Sequence, residues 1–128
     1  QRQMCIRDRA RTDVLVMILP SVEATEKALD AEVLRTLPER AYVVNAGRGS
    51  TVDEDALIQA LEDHEIAGAA IDVASQEPLG SDSPLWDAPN LIITPHSAGG
   101  RPVDSEDLIE HNLRALRGEG EYRNAMNA

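Results

Sequence analysis

The sequence predicts an α/β fold built on a parallel sheet with helices on both of its faces. Two observations carry this. Short runs of apolar, mostly β-branched residues recur along the chain, and they are continuous rather than alternating, as in strands buried on both faces. Between these runs lie segments whose apolar residues recur at helical spacing. A third observation sets the extent: 128 residues, 42% of them hydrophobic, suit one modest domain or part of a larger one. Four such runs are too few for a complete dinucleotide-binding sheet of about six strands, so the expectation is the C-terminal half of a Rossmann-type, doubly wound sheet.

Taken in order, the first nine residues, "QRQMCIRDR", show neither helical nor strand periodicity and read as a non-native leader, with native sequence beginning near Ala10. "DVLVMIL" (13–19) reads as a buried strand stopped by Pro20. "DAEVLRTL" (30–37) has apolar residues at Ala31, Val33, Leu34 and Leu37 and Asp30 as its N-cap, which predicts a helix. "AYVVNA" (41–46) is a second strand, ended by Gly47. "DEDALIQALED" (53–63) predicts a helix capped by Asp53, with Glu54 and Asp55 in the first turn, where the helix dipole favours them. Its inner stripe is Ala56, Leu57, Ala60 and Leu61. "IAGAAIDV" (66–73) is a third strand whose small residues suit close packing. After a polar loop, "LIIT" (91–94) is the fourth, closed by Pro95. Residues 103–116 read as a longer helix with Leu108, Ile109, Leu113 and Leu116 on one side, followed by a loose tail. The organisation expected is a partial dinucleotide-binding domain over 10–100, a C-terminal helix over 101–118 and a tail over 119–128.

Composition excludes several classes of function. A net charge of −11 argues against nucleic acid, whose binding requires Lys and Arg to neutralise phosphates. No apolar run approaches the roughly 20 residues that span a bilayer, and no secretory signal is evident, so the expected compartment is the cytoplasm. The single cysteine, Cys5, excludes an internal disulfide, and His64, His96 and His111 are too scattered to suggest a metal site. Lys27 is the only lysine; a high-salt cytoplasm and a GC-rich genome both account for that bias.

Three polar constellations each follow a strand, and sites of open α/β sheets lie beyond the carboxyl ends of the strands. Arg48 follows the second strand, Asp72 ends the third with Glu77 just beyond it, and His96 follows the fourth. The roles fit together. Histidine exchanges protons near neutral pH, a neighbouring carboxylate orients its ring and favours the charged form, and arginine grips a carboxylate with two parallel hydrogen bonds. Each alone has a structural reading: Arg48 as a surface ion-pair partner, Glu77 as a solvated loop acid, His96 as a turn cap. Trp86 reads as a packing anchor for its loop, or else as a wall of the site. His64 and His111 are expected at exposed positions. No G-x-G-x-x-G occurs, since the position that would complete it after Gly47 and Gly49 is Val52.

"NAGRGSTVDEDAL", "AAIDVASQEPL" and "PNLIITPHSAGG" resemble, in order and spacing, the signatures of the D-isomer-specific 2-hydroxyacid dehydrogenases, over residues 12 to about 117. "SPLW" and "TPHSAG" resemble the glyoxylate/hydroxypyruvate reductase branch. The resemblance implies an NAD- or NADP-dependent oxidoreductase that reduces a 2-oxo acid to the D-2-hydroxy acid. It implies that Arg48 binds the substrate carboxylate, His96 is the acid/base and Glu77 its partner. It also implies that Asp72 lies against the nicotinamide carboxamide, and that Leu19, Pro20, Ser21 and Thr25 line the cofactor. Ala46 and Gly47 pass beside the nicotinamide, the glycines giving the backbone that close approach, and Ser97, Ala98 and Gly99 border the cofactor. The resemblance further implies a homodimer when full length, and a last helix that crosses to pack on a substrate domain. The pyrophosphate-binding glycines and most of that domain are expected upstream, leaving the fragment itself inactive. Formate dehydrogenases carry glutamine where Glu77 stands; long phosphoglycerate dehydrogenases continue beyond the last helix. A different class of reading is a non-catalytic, nucleotide-sensing corepressor on the same scaffold.

Overall fold

A computed structural model describes residues 8–99 and 105–121. They form two compact units, the first ending at Ala98 and the second beginning at Gly99.

In the first unit, strands β1 (Val14–Met17), β2 (Tyr42–Asn45), β3 (Gly68–Ile71) and β4 (Leu91–Ile93) alternate with helices α1 (Ala31–Leu34) and α2 (Glu54–Glu62). The strands lie in the order β1-β2-β3-β4 and every pairing is parallel. Val16 pairs with Val44, Val44 with Ala70 and Ala70 with Ile92, so these residues lie across one face. Both helix caps follow the sequence. Asp30 accepts from the Val33 amide at 2.8 Å and Asp53 from the Ala56 amide at 3.3 Å, each satisfying one orphan donor of a helix start. The first helix is shorter than its apolar pattern, because Thr36 and Leu37 turn back to Val33 and Leu34 in tight i→i+3 bonds ahead of Pro38.

One expectation is corrected. Continuous apolar runs imply cover on both faces of the sheet, yet in residues 8–98 the helices cover only one. Met17, Val43, Ala69 and Ile71 are buried with Leu34, Leu57, Ala60 and Leu61 in a single core. On the opposite face Val14, Val16, Tyr42 and Ile92 are exposed. The reason is topological. Strands laid down in one direction by right-handed crossovers keep every connection on the same side, and only a reversal of strand order puts helices on the other. The first run, read as a buried strand, is therefore an edge strand with one bare face.

The buried anchor of the loop between β3 and β4 is Leu85, 1% exposed, rather than Trp86, 53% exposed. The Trp86 indole instead donates to the Gly80 carbonyl at 2.8 Å. In the second unit, α3 (Ser105–Leu116) leaves Ile109, Leu113 and Leu116 exposed. Most of the leader read above (residues before 8), the segment 100–104 with the start of the helix expected over 101–118, and the tail beyond 121 lie outside the described residues.

Candidate active site

The carboxyl ends of β2, β3 and β4 bring Arg48, Asp72, Glu77 and His96 to one edge of the sheet. Arg48 stands on a turn built by a buried amide. Asn45, 1% exposed at the end of β2, accepts from the Gly47 amide at 3.0 Å and donates to the Arg48 carbonyl at 3.1 Å. The Thr51 hydroxyl donates to the same carbonyl at 2.6 Å. The Arg48 guanidinium reaches back to the Gly47 carbonyl at 2.7 Å and otherwise faces solvent.

The flanking glycines serve the chain's own packing. A Cβ on Gly47 would stand 2.8 Å from the Leu19 backbone, and one on Gly49 would stand 2.0 Å from the Ala74 carbonyl carbon. The turn after β2 thus interlocks with the loops after β1 and β3 through these two positions.

His96 and Glu77 form a pair, with Nδ1 2.7 Å from Oε2. Glu77 Oε1 also accepts from the Ala74 amide at 3.0 Å. The His96 hydrogen bond, and after it the Ala74 amide, hold the Glu77 carboxyl below its ordinary value of 4.5. Glu77 is then an acceptor at neutral pH, so Nδ1 carries the proton and donates, leaving Nε2 for a substrate oxygen. The loop bearing Glu77 is itself tied down, since the Ser75 amide donates to Glu54 Oε1 at the start of α2 at 2.6 Å.

Asp72 is buried at the end of β3 and accepts from the segment that carries His96. Its Oδ1 accepts from the Thr94 hydroxyl and from the Ser97 amide at 2.9 Å, and Oδ2 accepts from the Ala98 amide at 2.8 Å. The Thr94 hydroxyl first, then the Ala98 amide, hold its carboxyl below 3.8. His96 takes φ 52, a left-handed conformation that costs a non-glycine residue about 1–3 kcal/mol and persists where surroundings enforce it.

Two cavities meet at the His96–Glu77 pair. One, of about 340 Å³, is lined by polar groups including Ser21, Arg48, Ser50 and Ser75. The other, of about 450 Å³, is walled by Pro78, Leu79, Trp86 and Ile93. Trp86 is thus both a brace for its loop and a wall of the site. The first cavity sets a guanidinium, an imidazole and a carboxylate around one space, which suits an anion that must gain or lose a proton.

The remaining expected residues divide. Leu19, Pro20, Ala46, Ala98 and Gly99 are exposed. Thr25 is committed to its own loop, donating to Pro20 O at 2.6 Å and accepting from the Val22 amide at 3.1 Å. His64 is exposed, and His111 is half-buried, with Nε2 2.8 Å from the Glu121 carbonyl. Asn45, Thr51, Glu54 and Thr94 organise the site through the hydrogen bonds above, and none was among the candidate site residues read from the sequence. A polar Asn closing an apolar strand was the one available signal.

The donor set fits the nicotinamide end of a dinucleotide: exposed loop backbone at strand carboxyl ends, with Asp72 Oδ2 accepting one hydrogen bond, from Ala98, of the two an oxygen can take. The sequence holds no G-x-G-x-x-G for a pyrophosphate. Among the described residues no His, Cys, Asp and Glu cluster could hold a metal ion, and no helix is long and apolar enough to cross a membrane.

Residues 9–98 match the family described as D-isomer specific 2-hydroxyacid dehydrogenase, NAD binding domain. Glyoxylate/hydroxypyruvate reductase A of Salmonella paratyphi B is 41% identical over 107 residues, covering 83% of this chain and 34% of that protein. An uncharacterised protein of Corynebacterium melassecola is 42% identical over 115 residues, 90% of this chain and 35% of that one. The chain thus spans about a third of the length of these relatives. Among solved structures, a D-isomer specific 2-hydroxyacid dehydrogenase from Xanthobacter autotrophicus Py2, in complex with NADPH and MES, superposes with a TM-score of 0.85. It is 35% identical, over 98% of this chain and 52% of that one. An NADPH-dependent glyoxylate/hydroxypyruvate reductase from Sinorhizobium meliloti, in complex with NADP and sulfate, superposes at 0.84. It is 28% identical, over 95% of this chain and 40% of that one.

Proposed function

This chain belongs to the D-isomer specific 2-hydroxyacid dehydrogenase family, in its NAD-binding domain, and on that premise we propose that it is the catalytic, nicotinamide-facing part of an NAD(P)-dependent oxidoreductase. The full-length protein reduces a 2-oxo acid of the glyoxylate or hydroxypyruvate type to its D-2-hydroxy acid. The observation that carries this reading is the His96–Glu77 pair at 2.7 Å, opening on the same cavity as Arg48.

Bound NADH or NADPH supplies the hydride; the loops at 19–21, 46–47, 72 and 97–99 are the part of this chain that would hold its nicotinamide end. Arg48 grips the substrate carboxylate through its planar fork, which fixes the direction in which the 2-oxo group points. His96 Nε2 gives a proton to the carbonyl oxygen in reduction and takes it back in oxidation. Glu77 holds the ring in the tautomer that leaves Nε2 on the substrate side and stabilises the imidazolium. On this reading residues 10–100 are a partial dinucleotide-binding domain that carries the site, and the C-terminal segment with the helix Ser105–Leu116 packs on a substrate domain. The 41% identity to a glyoxylate/hydroxypyruvate reductase supports the substrate class.

The test is NADH or NADPH oxidation by the full-length protein, followed with glyoxylate, hydroxypyruvate and bulkier 2-oxo acids. Turnover is expected with the small, polar acids. Tight cofactor binding with no turnover on any 2-oxo acid would instead mark a nucleotide sensor.

A further inference from the structure

We infer that Asp72 is a positioning residue for His96: its carboxylate is the tether around which residues 94–98 fold, and through that fold it aims the imidazole at the substrate. This deepens the proposed function and rests on it for the identity of the reaction.

The geometry is specific. Three donors from one five-residue segment converge on a single carboxylate. They are the Thr94 hydroxyl, the Ser97 amide at 2.9 Å and the Ala98 amide at 2.8 Å, with the Ser97 hydroxyl at 3.5 Å behind them. His96 is the apex of that segment. Its own amide folds back onto the Thr94 carbonyl at 3.0 Å, and its φ of 52 is the turn that lets its neighbours on either side reach the same acceptor. Without Asp72, the Ser97 and Ala98 amides lose the acceptor that holds the chain on the far side of the left-handed turn at His96.

The anchorage of Asp72 is as firm as its grip. It is 7% exposed, and its amide donates to the Asn45 carbonyl at 2.9 Å, extending the β2–β3 ladder. Thr94 in turn donates its amide to the Ile71 carbonyl at 3.0 Å. The imidazole is therefore located from two sides: Glu77 holds the ring through Nδ1, and Asp72 holds the backbone from which the ring projects. Because Asn45 also builds the Arg48 turn, the two halves of the site share one buried junction between β2 and β3.

The test combines two readouts on Asp72→Asn and Thr94→Val. Asn keeps the shape but offers one acceptor oxygen, so one convergent donor then faces an NH₂ group. The first readout is amide hydrogen exchange at Ser97 and Ala98 in this 128-residue chain, which needs neither cofactor nor activity. Exchange is expected to accelerate about tenfold in Asp72→Asn, as for loss of a charge-assisted hydrogen bond, and less in Thr94→Val. Unchanged exchange in both variants would overturn the tether. The second readout is kinetic, in the full-length protein. The expected pattern is kcat for 2-oxo acid reduction lowered about 10- to 100-fold in both variants, the scale of a misaimed catalytic group, with the Kd for NADH or NADPH unchanged in Thr94→Val, which leaves the Asp72 carboxylate in place. A loss carried entirely by cofactor Kd would overturn the inference and leave Asp72 as a cofactor contact. Thr94→Val keeps Asp72 itself, so it decides the matter if Asp72→Asn does not fold. Absence of turnover in the wild type would count against the proposed function, while the exchange experiment would still decide the tether.

Discussion

Arg48, Glu77 and His96 were legible in the sequence because each is a chemically versatile side chain placed just past a strand, where an open α/β sheet gathers its site. Asn45 was not: an amide at a strand end is common, and only the fold shows it 1% exposed and bonded on both sides, to the Gly47 amide and the Arg48 carbonyl. Asn45→Ala should therefore cost about 1–3 kcal/mol, the penalty for stranding buried polar groups, read as a lower urea midpoint. In the full-length protein Arg48→Lys should lower kcat/KM by about 100-fold or more, since an ammonium is a point charge without the two-pronged grip; steady-state kinetics with glyoxylate checks it. The pH dependence follows from the two depressed carboxyls. Each binds fewer protons in the folded than in the unfolded chain, so its stabilisation is complete above the ordinary value and is lost as pH falls through the folded one. Stability should hold down to about pH 4.5, the ordinary value for Glu77, and then decline with acid as Glu77 and Asp72 protonate. Urea midpoints across pH 2–7, about the range that spans both groups, should show a shallower acid slope in Glu77→Gln.

At the scale of elements, the strands and α2 were readable from apolar runs and caps, and each came out shorter than its run. Pairing sets the length: Val14–Met17 is as long as its partner Tyr42–Asn45, whereas the apolar run continues to Leu19. What the sequence could not show is how the loops touch. "GRG" looks like an opening toward a ligand, but a Cβ at position 49 would lie 2.0 Å from the Ala74 backbone. Gly49→Ala should thus force the Arg48 and Glu77 loops apart. The expected cost is about 1–3 kcal/mol by analogy with overpacking, with the activity of the full-length protein falling further than stability because both loops of the proposed site move. A thermal midpoint within about 1 °C of wild type, well inside the shift expected for 1 kcal/mol, would contradict that interlock.

At the scale of the molecule, the chain covers 34–35% of two relatives, and the sequence foretold the parallel Rossmann-type sheet that the structure and the family match over residues 9–98 show. It did not reveal that one face would be bare, because a strand apolar on both faces reads the same whether or not its second cover is in the chain. Within the described residues the two faces should respond very differently to mutation. Val43→Ala, at a fully buried position, should cost about 2 kcal/mol in lost burial and cavity, while Val16→Ala, 57% exposed, should stay within about 0.5 kcal/mol; paired denaturation curves test this. The central claim is that His96, fixed by Glu77 and carried on the Asp72 tether, moves the proton of a 2-oxo acid reduction. The most direct measurement is the rate of NADH or NADPH oxidation with glyoxylate by full-length His96→Gln at neutral pH, beside its cofactor affinity. The account predicts a fall of about 10²- to 10⁴-fold, the scale of general acid–base catalysis, with cofactor Kd unchanged; a rate within a few-fold of wild type would contradict it.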